Sequence, residues 1–227
     1  MAFMAKILNL ETATTNCSVS ISENGKTLFL RENNALNYSH SEQLHIFIDE
    51  ILKESSLTFH DLDAIAVSKG PGSYTGLRIG VSAAKGLCFS LDLPLIAIPT
   101  LESMARQIEM EKGEVAIPVL DARRMEVYSA VFDYQYQEIR ETRAEVIDEN
   151  SFQEYVGTKK VHFIGNGAAK CAEVLKHANF VFNTTIMPSA QEMGAIAHQK
   201  FEQALFEDVA YFEPYYLKDF VLQGKKS

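Results

Sequence analysis

Two acidic residues stand at matching places in this chain. Each follows an apolar run that reads as a strand, Leu10-Glu11 in the first half and Leu120-Asp121 in the second. Carboxylates at strand ends can order Mg²⁺ and water beside a transferring phosphate, so Glu11 and Asp121 are candidate nucleotide-site residues. The residues that follow them, Thr12-Ala13-Thr14-Thr15-Asn16 and Ala122-Arg123-Arg124, lack the glycine that usually lets backbone approach phosphate. A third element, Gly165-Asn166-Gly167-Ala168, follows another apolar run. Gly165 and Gly167 could face an adenosine, and a Gly-Asn-Gly run is also an ordinary turn. A working phosphotransferase would show all three elements intact, and each is partial here.

The glycine-rich stretch Ser68–Gly80, SKGPGSYTGLRIG, follows a strand-like run and opens a helix-like one. Such a junction can bind anions through backbone N–H groups and the helix dipole. It fails the stricter phosphate patterns. Walker A needs Gly-Lys-Ser/Thr, and Gly76 is followed by Leu77 and Arg78. The dinucleotide fingerprint needs Gly where Thr75 stands, and the nucleophile elbow needs Gly where Pro71 stands. What remains is a strand-to-helix turn whose glycines permit positive φ and close packing. Gly80, Ala83, Ala84 and Gly86 then put small residues along one helix, so another helix can approach, inside the chain or from a partner. Ser82-Ala83-Ala84-Lys85 matches Ser-x-x-Lys, but the Ser-Asp-Asn and Lys-Thr-Gly elements of acylating enzymes do not occur. His40 and His45 are five residues apart, roughly 140° around a helix, whereas paired ligands want i, i+4. Position 44 is Leu44.

The elements that must carry these residues follow from periodicity. Lys6–Leu10, Cys17–Ile21 and Thr27–Arg31 read as three antiparallel strands, the last two joined by a tight Asn24-Gly25 turn. Leu44, Phe47, Ile48, Ile51 and Leu52 fall on one helical face of residues 40–53, with Ser39 or Ser41 as cap. A strand over 64–67, a helix over 76–89 and a strand over 95–98 complete the first half. In the second half, strands are predicted over 117–120, 127–132, 140–147 and 161–164, with helices over 169–177 and 191–206. The same order of elements thus occurs twice. It predicts an α/β protein with two related lobes, mixed sheets and flanking helices, divided near residues 99–104. The lobes are taken as 1–101 and 102–227, with the last helix a candidate to pack back on the first lobe.

The composition is that of a globular chain: 227 residues, 47% hydrophobic and 22% charged. Its formal net charge of −9, with no Lys/Arg run before the end, disfavours unaided nucleic-acid binding. Gly224-Lys225-Lys226-Ser227 reads as a frayed end rather than a binding arm. Cys17, Cys88 and Cys171 show no metal-ligand or redox spacing and suit reduced, buried thiols of a cytosolic protein. No signal peptide is read at the N-terminus, and the longest apolar stretch, 87–98, is too broken to cross a membrane.

SKGPGSYTGLRIG resembles the signature of the TsaB (YeaZ) family, with Tyr74 where Phe is common. ILNLETATTNCSVSI resembles that family's opening hairpin, with Glu11 where Asp is frequent, and PVLDARRMEVYSAVF resembles its second-lobe opening. FIGNGA and EPYYLKDFV match more loosely, with Lys218 where Arg is usual. The resemblance implies an actin-like (ASKHA) fold of duplicated βββαβα units. It implies a cytoplasmic, non-catalytic scaffold for TsaD, a paralogue that transfers threonylcarbamoyl onto the adenosine beside the anticodon of tRNA. TsaE, a P-loop ATPase, is the further expected partner, and a homodimer is expected when the chain is alone. No cofactor is then expected on this chain: ATP/ADP and metal belong to the partners, and tRNA is met only through the complex. The metal-binding His-x-x-x-His of TsaD cannot be carried over, since Leu44 stands where its second histidine would. The implied contact uses the first two helices, so Leu44, Gly76, Gly80, Ala83, Ala84 and Leu87 are the interface candidates. Gly80→Leu or Ala84→Leu is expected to block association by overpacking. The competing reading is an actin-like small-molecule kinase or nucleotide hydrolase using Glu11, Asp121 and the Gly165–Gly167 turn. A peptidase reading attaches to the wider family by resemblance alone.

Overall fold

A computed structural model describes residues 4–34 and 40–217. Ser39 as a helix cap, Lys218 and the 224–227 tail lie outside the described residues.

Strands β1 (Lys6–Glu11), β2 (Asn16–Glu23) and β3 (Lys26–Asn34) run antiparallel. Asn24 and Gly25 both take positive φ, 51° and 79°, as a tight hairpin of right-twisted strands requires. Helix α1 (His40–Ser55) buries Leu44, Ile48, Ile51 and Leu52 at helical spacing. Then come β4 (Ala64–Gly70), α2 (Tyr74–Leu91) and β5 (Leu95–Pro99). α2 starts two residues before the predicted helix because the Ser73 hydroxyl accepts from the Gly76 amide and caps it. It ends where Asp92 turns left-handed.

The second half holds β6 (Glu114–Asp121), β7 (Glu126–Asp133), β8 (Glu138–Val146), β9 (Lys160–Ile164) and β10 (Phe180–Asn183). Its sheet order, β8-β7-β6-β9-β10, repeats that of the first, β3-β2-β1-β4-β5. In each sheet the first three strands pair antiparallel and the last two join parallel. The chain is therefore a duplicated, two-sheet actin-like α/β fold. The repeat is imperfect: where α1 stands in the first half, the second has only a 3-10 turn, Gln153–Tyr155. Phe152 beside that turn fills the space, packing edge-on against Phe163 of β9.

Three further helices close the layers. α4 (Ala168–Val174) covers one face of the second sheet through Ala168 and Cys171. α3 (Thr100–Ala105), which follows the first sheet directly in sequence, packs Leu101, Met104 and Ala105 on the second sheet. α5 (Met193–Glu202) does the reverse, packing Met193, Ile196 and Ala197 on Ile7, Ala64, Ala66, Ile96 and Ile98 of the first sheet. Two helices thus cross between the lobes. With helices on both faces, β1, β2, β4 and β6 become almost continuously buried runs. After α5 the chain returns along the first lobe. Glu207 bridges to Leu95, Val209 and Phe212 join the core under α2, and Lys85 Nζ donates to the carbonyls of Ala210 and Phe212 at 3.1 and 3.0 Å.

Candidate functional site

Glu11 ends β1 and is fully buried. Its Oε1 accepts from the Ala13 amide at 2.6 Å and from the Ser68 hydroxyl at 2.8 Å, while Oε2 has no hydrogen-bond partner among the described residues. Burial pushes its carboxyl up to about 7, although the Ala13 and Ser68 hydrogen bonds pull it back. Instead of an open acid beside phosphates, Glu11 is an internal tether that curls residues 11–13 toward the glycine-rich stretch. Across that junction the Ser73 amide donates to the Ala13 carbonyl at 2.6 Å, and the Thr12 hydroxyl donates to the Gly76 carbonyl at 2.8 Å. Gly72, Gly76 and Gly80, at four-residue spacing, form the notch that receives this turn. A Cβ at Gly72 would lie 2.7 Å from the Ala13 methyl group, and one at Gly76 or Gly80 would overlap Thr12. The close packing that the glycines permit is therefore internal.

Asp121 ends β6 and is exposed. Its carboxylate accepts from the Arg123 amide at 2.6 Å and from Lys170 Nζ at 2.7 Å. Lys170, from α4, also reaches the carbonyls of Arg124 and Glu126, so Asp121 is paired with a lysine that ties α4 to the β6–β7 turn. Gly165 has φ +116°, and a Cβ there would lie 2.6 Å from Met104 Cε and overlap the Val119 carbonyl. A Cβ at Gly167 would lie 3.0 Å from the same carbonyl, which accepts the Gly167 amide at 3.0 Å. These glycines press the turn onto β6. The Asn166 side chain in turn accepts the Asp121 amide at 2.9 Å. The four residues do not fit a magnesium-bound nucleotide: one acid is sealed, the other is paired with lysine, and both glycines are committed to β6.

The histidines do not pair. His40 is buried with Nε2 2.6 Å from the Thr14 carbonyl, and His45 is exposed on the next turn of α1. Among the described residues no group of three His, Cys, Asp or Glu side chains could hold a metal. Ser82 and Lys85 do not form a catalytic pair, since Ser82 faces outward and Lys85 Nζ holds the returning chain.

One open feature is a groove of about 790 Å³ between α1 and the outer side of α2. Ile79, Ala83, Gly86 and Leu87 form its α2 side, Ser41 and His45 its α1 side, and Tyr74 and Arg78 one end. Arg78 lies over the Tyr74 ring, 5.2 Å from its centroid. Of the interface candidates, Ala83 and Leu87 line this groove. Leu44, Gly76, Gly80 and Ala84 do not: they are buried, Leu44 and Ala84 in the core of the first lobe and the two glycines against Thr12. The correction comes from helix geometry. Gly76, Gly80 and Ala84 form one stripe of α2, and Ile79, Ala83 and Leu87 another, roughly 60° away around the axis. Separating the two stripes by angle would have found Ile79 and Gly86 in the sequence. Phe89, 86% exposed near the end of α2, adds to the apolar outer side.

Comparison with known proteins places this architecture. Residues 35–225 match the family model described as TsaD: tRNA N6-adenosine threonylcarbamoyltransferase. The tRNA threonylcarbamoyladenosine biosynthesis protein TsaB of Escherichia coli is 31% identical over an alignment of 235 positions that covers 97% of each chain. The protein of the same name from Haemophilus influenzae is 39% identical over 123 residues, 54% of this chain and 51% of its own length. A Pseudomonas aeruginosa crystal structure with similarity to YeaZ superposes with a TM-score of 0.82 at 23% identity, covering 95% of this chain and 100% of that one. With a family model over most of its length and a full-length relative at 31% identity, the chain belongs to the TsaB (YeaZ) family within the wider threonylcarbamoyltransferase-related family.

Proposed function

We propose that this chain is a non-catalytic partner subunit in the formation of threonylcarbamoyladenosine in tRNA, and that it holds a paralogous threonylcarbamoyltransferase through the α1–α2 groove. The observation that carries this reading is Gly86. A Cβ there meets nothing within 4 Å among the described residues, so no packing described within the chain asks for glycine. Glycine inside a helix costs about 1 kcal/mol relative to alanine. Close approach of a surface from outside the chain offsets that cost, and Ile79, Ala83 and Leu87 supply the apolar area for it.

The names of the relatives support the pathway. The likeness to the transferase family supports a partner of the same fold, since two related subunits can meet through matching helices in a near-twofold arrangement. ATP/ADP and metal then sit on the partner subunits, TsaD and the ATPase TsaE, and tRNA is bound by the assembly. The same face serves a homodimer when the paralogue is absent. The compartment is the cytoplasm; no described helix is long and apolar enough to cross a membrane.

Co-elution with the paralogous transferase tests the reading, together with a tRNA modification assay with and without this chain. Ala83→Glu places a charge in the groove at a half-buried position against the edge of the first-lobe core; with its fold checked by circular dichroism, it is expected to abolish co-elution and stimulation. Unchanged co-elution of that variant, or failure of the wild type to co-elute in every nucleotide state, would overturn it. Gly80→Leu and Ala84→Leu are not clean tests, because both would overpack the interior.

A further inference from the structure

A second cavity, of about 520 Å³, opens where the chain crosses from the second lobe back to the first. The segment 185–192, between β10 and α5, forms one wall, and the edge strand β3 forms the other. The Gln107 amide donates to the Met187 carbonyl at 2.7 Å and steadies the first wall. Glu32 and Glu192 both line this cavity, and no lysine, arginine or histidine among the described residues does. Glu32 is fixed in place. Its Oε2 accepts from Asn16 Nδ2 at 3.2 Å, from Ser18 Oγ at 3.1 Å and from Ser189 Oγ at 2.7 Å, and its other oxygen accepts nothing among the described residues. Asn16 also lines the cavity and is only 4% exposed. Its Nδ2 donates to Glu32 and to the Pro188 carbonyl, at 2.9 Å for the latter, while its Oδ1 accepts no hydrogen bond among the described residues. Glu192 Oε2 is buried and likewise has no partner there. Although Glu192 is the N-cap residue of α5, its side chain caps no amide.

We infer that this cavity binds a small organic cation, a guanidinium or primary ammonium compound, between Glu32 and Glu192. The inference is independent of the docking reading. Two carboxylates in one cavity disfavour each other's ionisation unless a positive group joins them. A buried acceptor without a donor is also costly, and here Asn16 Oδ1 and Glu192 Oε2 both lack one. An ammonium or guanidinium group supplies the missing charge and several N–H donors at once, with no acceptor to be left over. The volume falls within the range of small-molecule sites, about 300–1,000 Å³. A metal ion suits the cavity less well, since no group of three His, Cys, Asp or Glu side chains converges there among the described residues. Burial pushes the Glu192 carboxyl up to about 7, and the Glu32 charge adds to the rise. A bound cation favours the ionised carboxyl, so binding strengthens as pH rises through 7.

Isothermal titration of the full-length chain with agmatine tests the assignment, with butylurea as a neutral probe of similar length. Agmatine should bind at one site per chain and butylurea should not. Agmatine affinity should rise about tenfold from pH 6 to pH 8, as the ionised fraction of a group titrating near 7 rises from about a tenth to about nine-tenths. Glu192→Gln keeps the shape of the side chain and removes its charge. It should weaken agmatine roughly tenfold and flatten the pH profile. Glu32→Gln repeats the test from the other wall if the first variant disturbs α5, with both folds checked by circular dichroism. No saturable binding at millimolar agmatine overturns the proposal. Equal binding of butylurea overturns it too, because the site would then not read charge. So does agmatine binding that both variants retain unchanged, which would mark a loose counter-ion on a chain of net charge −9.

Discussion

Gly76→Ala and Gly86→Ala put the same methyl group on two sides of one helix, with opposite expected results. At Gly76 the new Cβ would overlap the Thr12 carbonyl oxygen and sit 3.3 Å from its carbon. Both belong to backbone at the end of a buried strand, so neither can swing aside. α2 must retreat until the methyl reaches ordinary contact, and the Thr12 hydroxyl then loses the Gly76 carbonyl it holds at 2.8 Å. Overpacking costs roughly 1–3 kcal/mol. The lost hydrogen bond adds about 1 kcal/mol, and the better helix propensity of alanine returns about the same amount. The net loss is about 2 kcal/mol, a fall in Tm of roughly 4–8 °C for a chain of this size. At Gly86 only the propensity gain applies, so Tm should rise by about 2–4 °C. Thermal unfolding followed by circular dichroism reads both. If Gly76→Ala is neutral or stabilising, the notch around Thr12 is not packed as described and the division of α2 into an inner and an outer stripe fails.

Three further outcomes follow from the same contacts. Glu11→Gln alters the pH dependence of stability. With its carboxyl raised to about 7, the folded chain binds more protons than the unfolded chain between about 4.5 and 7, so this group's contribution is full below 4.5 and is lost as pH rises through 7. The stability of Glu11→Gln relative to wild type should therefore rise across that window in urea titrations at successive pH values, and a constant difference would refute the buried site. Lys85→Met removes the donor to Ala210 and Phe212 and should cost roughly 1.5–3 kcal/mol. It should also speed chymotryptic cleavage near Tyr211, and unchanged cleavage would count against the tie. Ser73→Ala deletes the α2 cap and should lower stability by about 1 kcal/mol in denaturant unfolding, with Ser73→Gly losing only a few tenths.

The pattern of elements was legible in the chain because it rests on local periodicity. Asn24-Gly25 specified its hairpin, since few residues accept positive φ twice in a row. Leu44, Ile48, Ile51 and Leu52 specified the inner face of α1 through their spacing. β10 and the short α3 went unseen, being four and six residues long with no cap or turn signal to mark them. The family signature in Ser68–Gly80 likewise needed no coordinates. Tertiary structure alone decided what each member of that stretch touches. Gly76 and Gly86 are the same residue in one helix, yet one meets Thr12 and the other meets open space. Glu11 looked like an acid waiting for a cation, and the closing of residues 12–13 over it made it a sealed tether. Sequence spacing reports which residues share a face of an element. Which face turns inward depends on segments more than fifty positions away, and those meet only when the chain has folded.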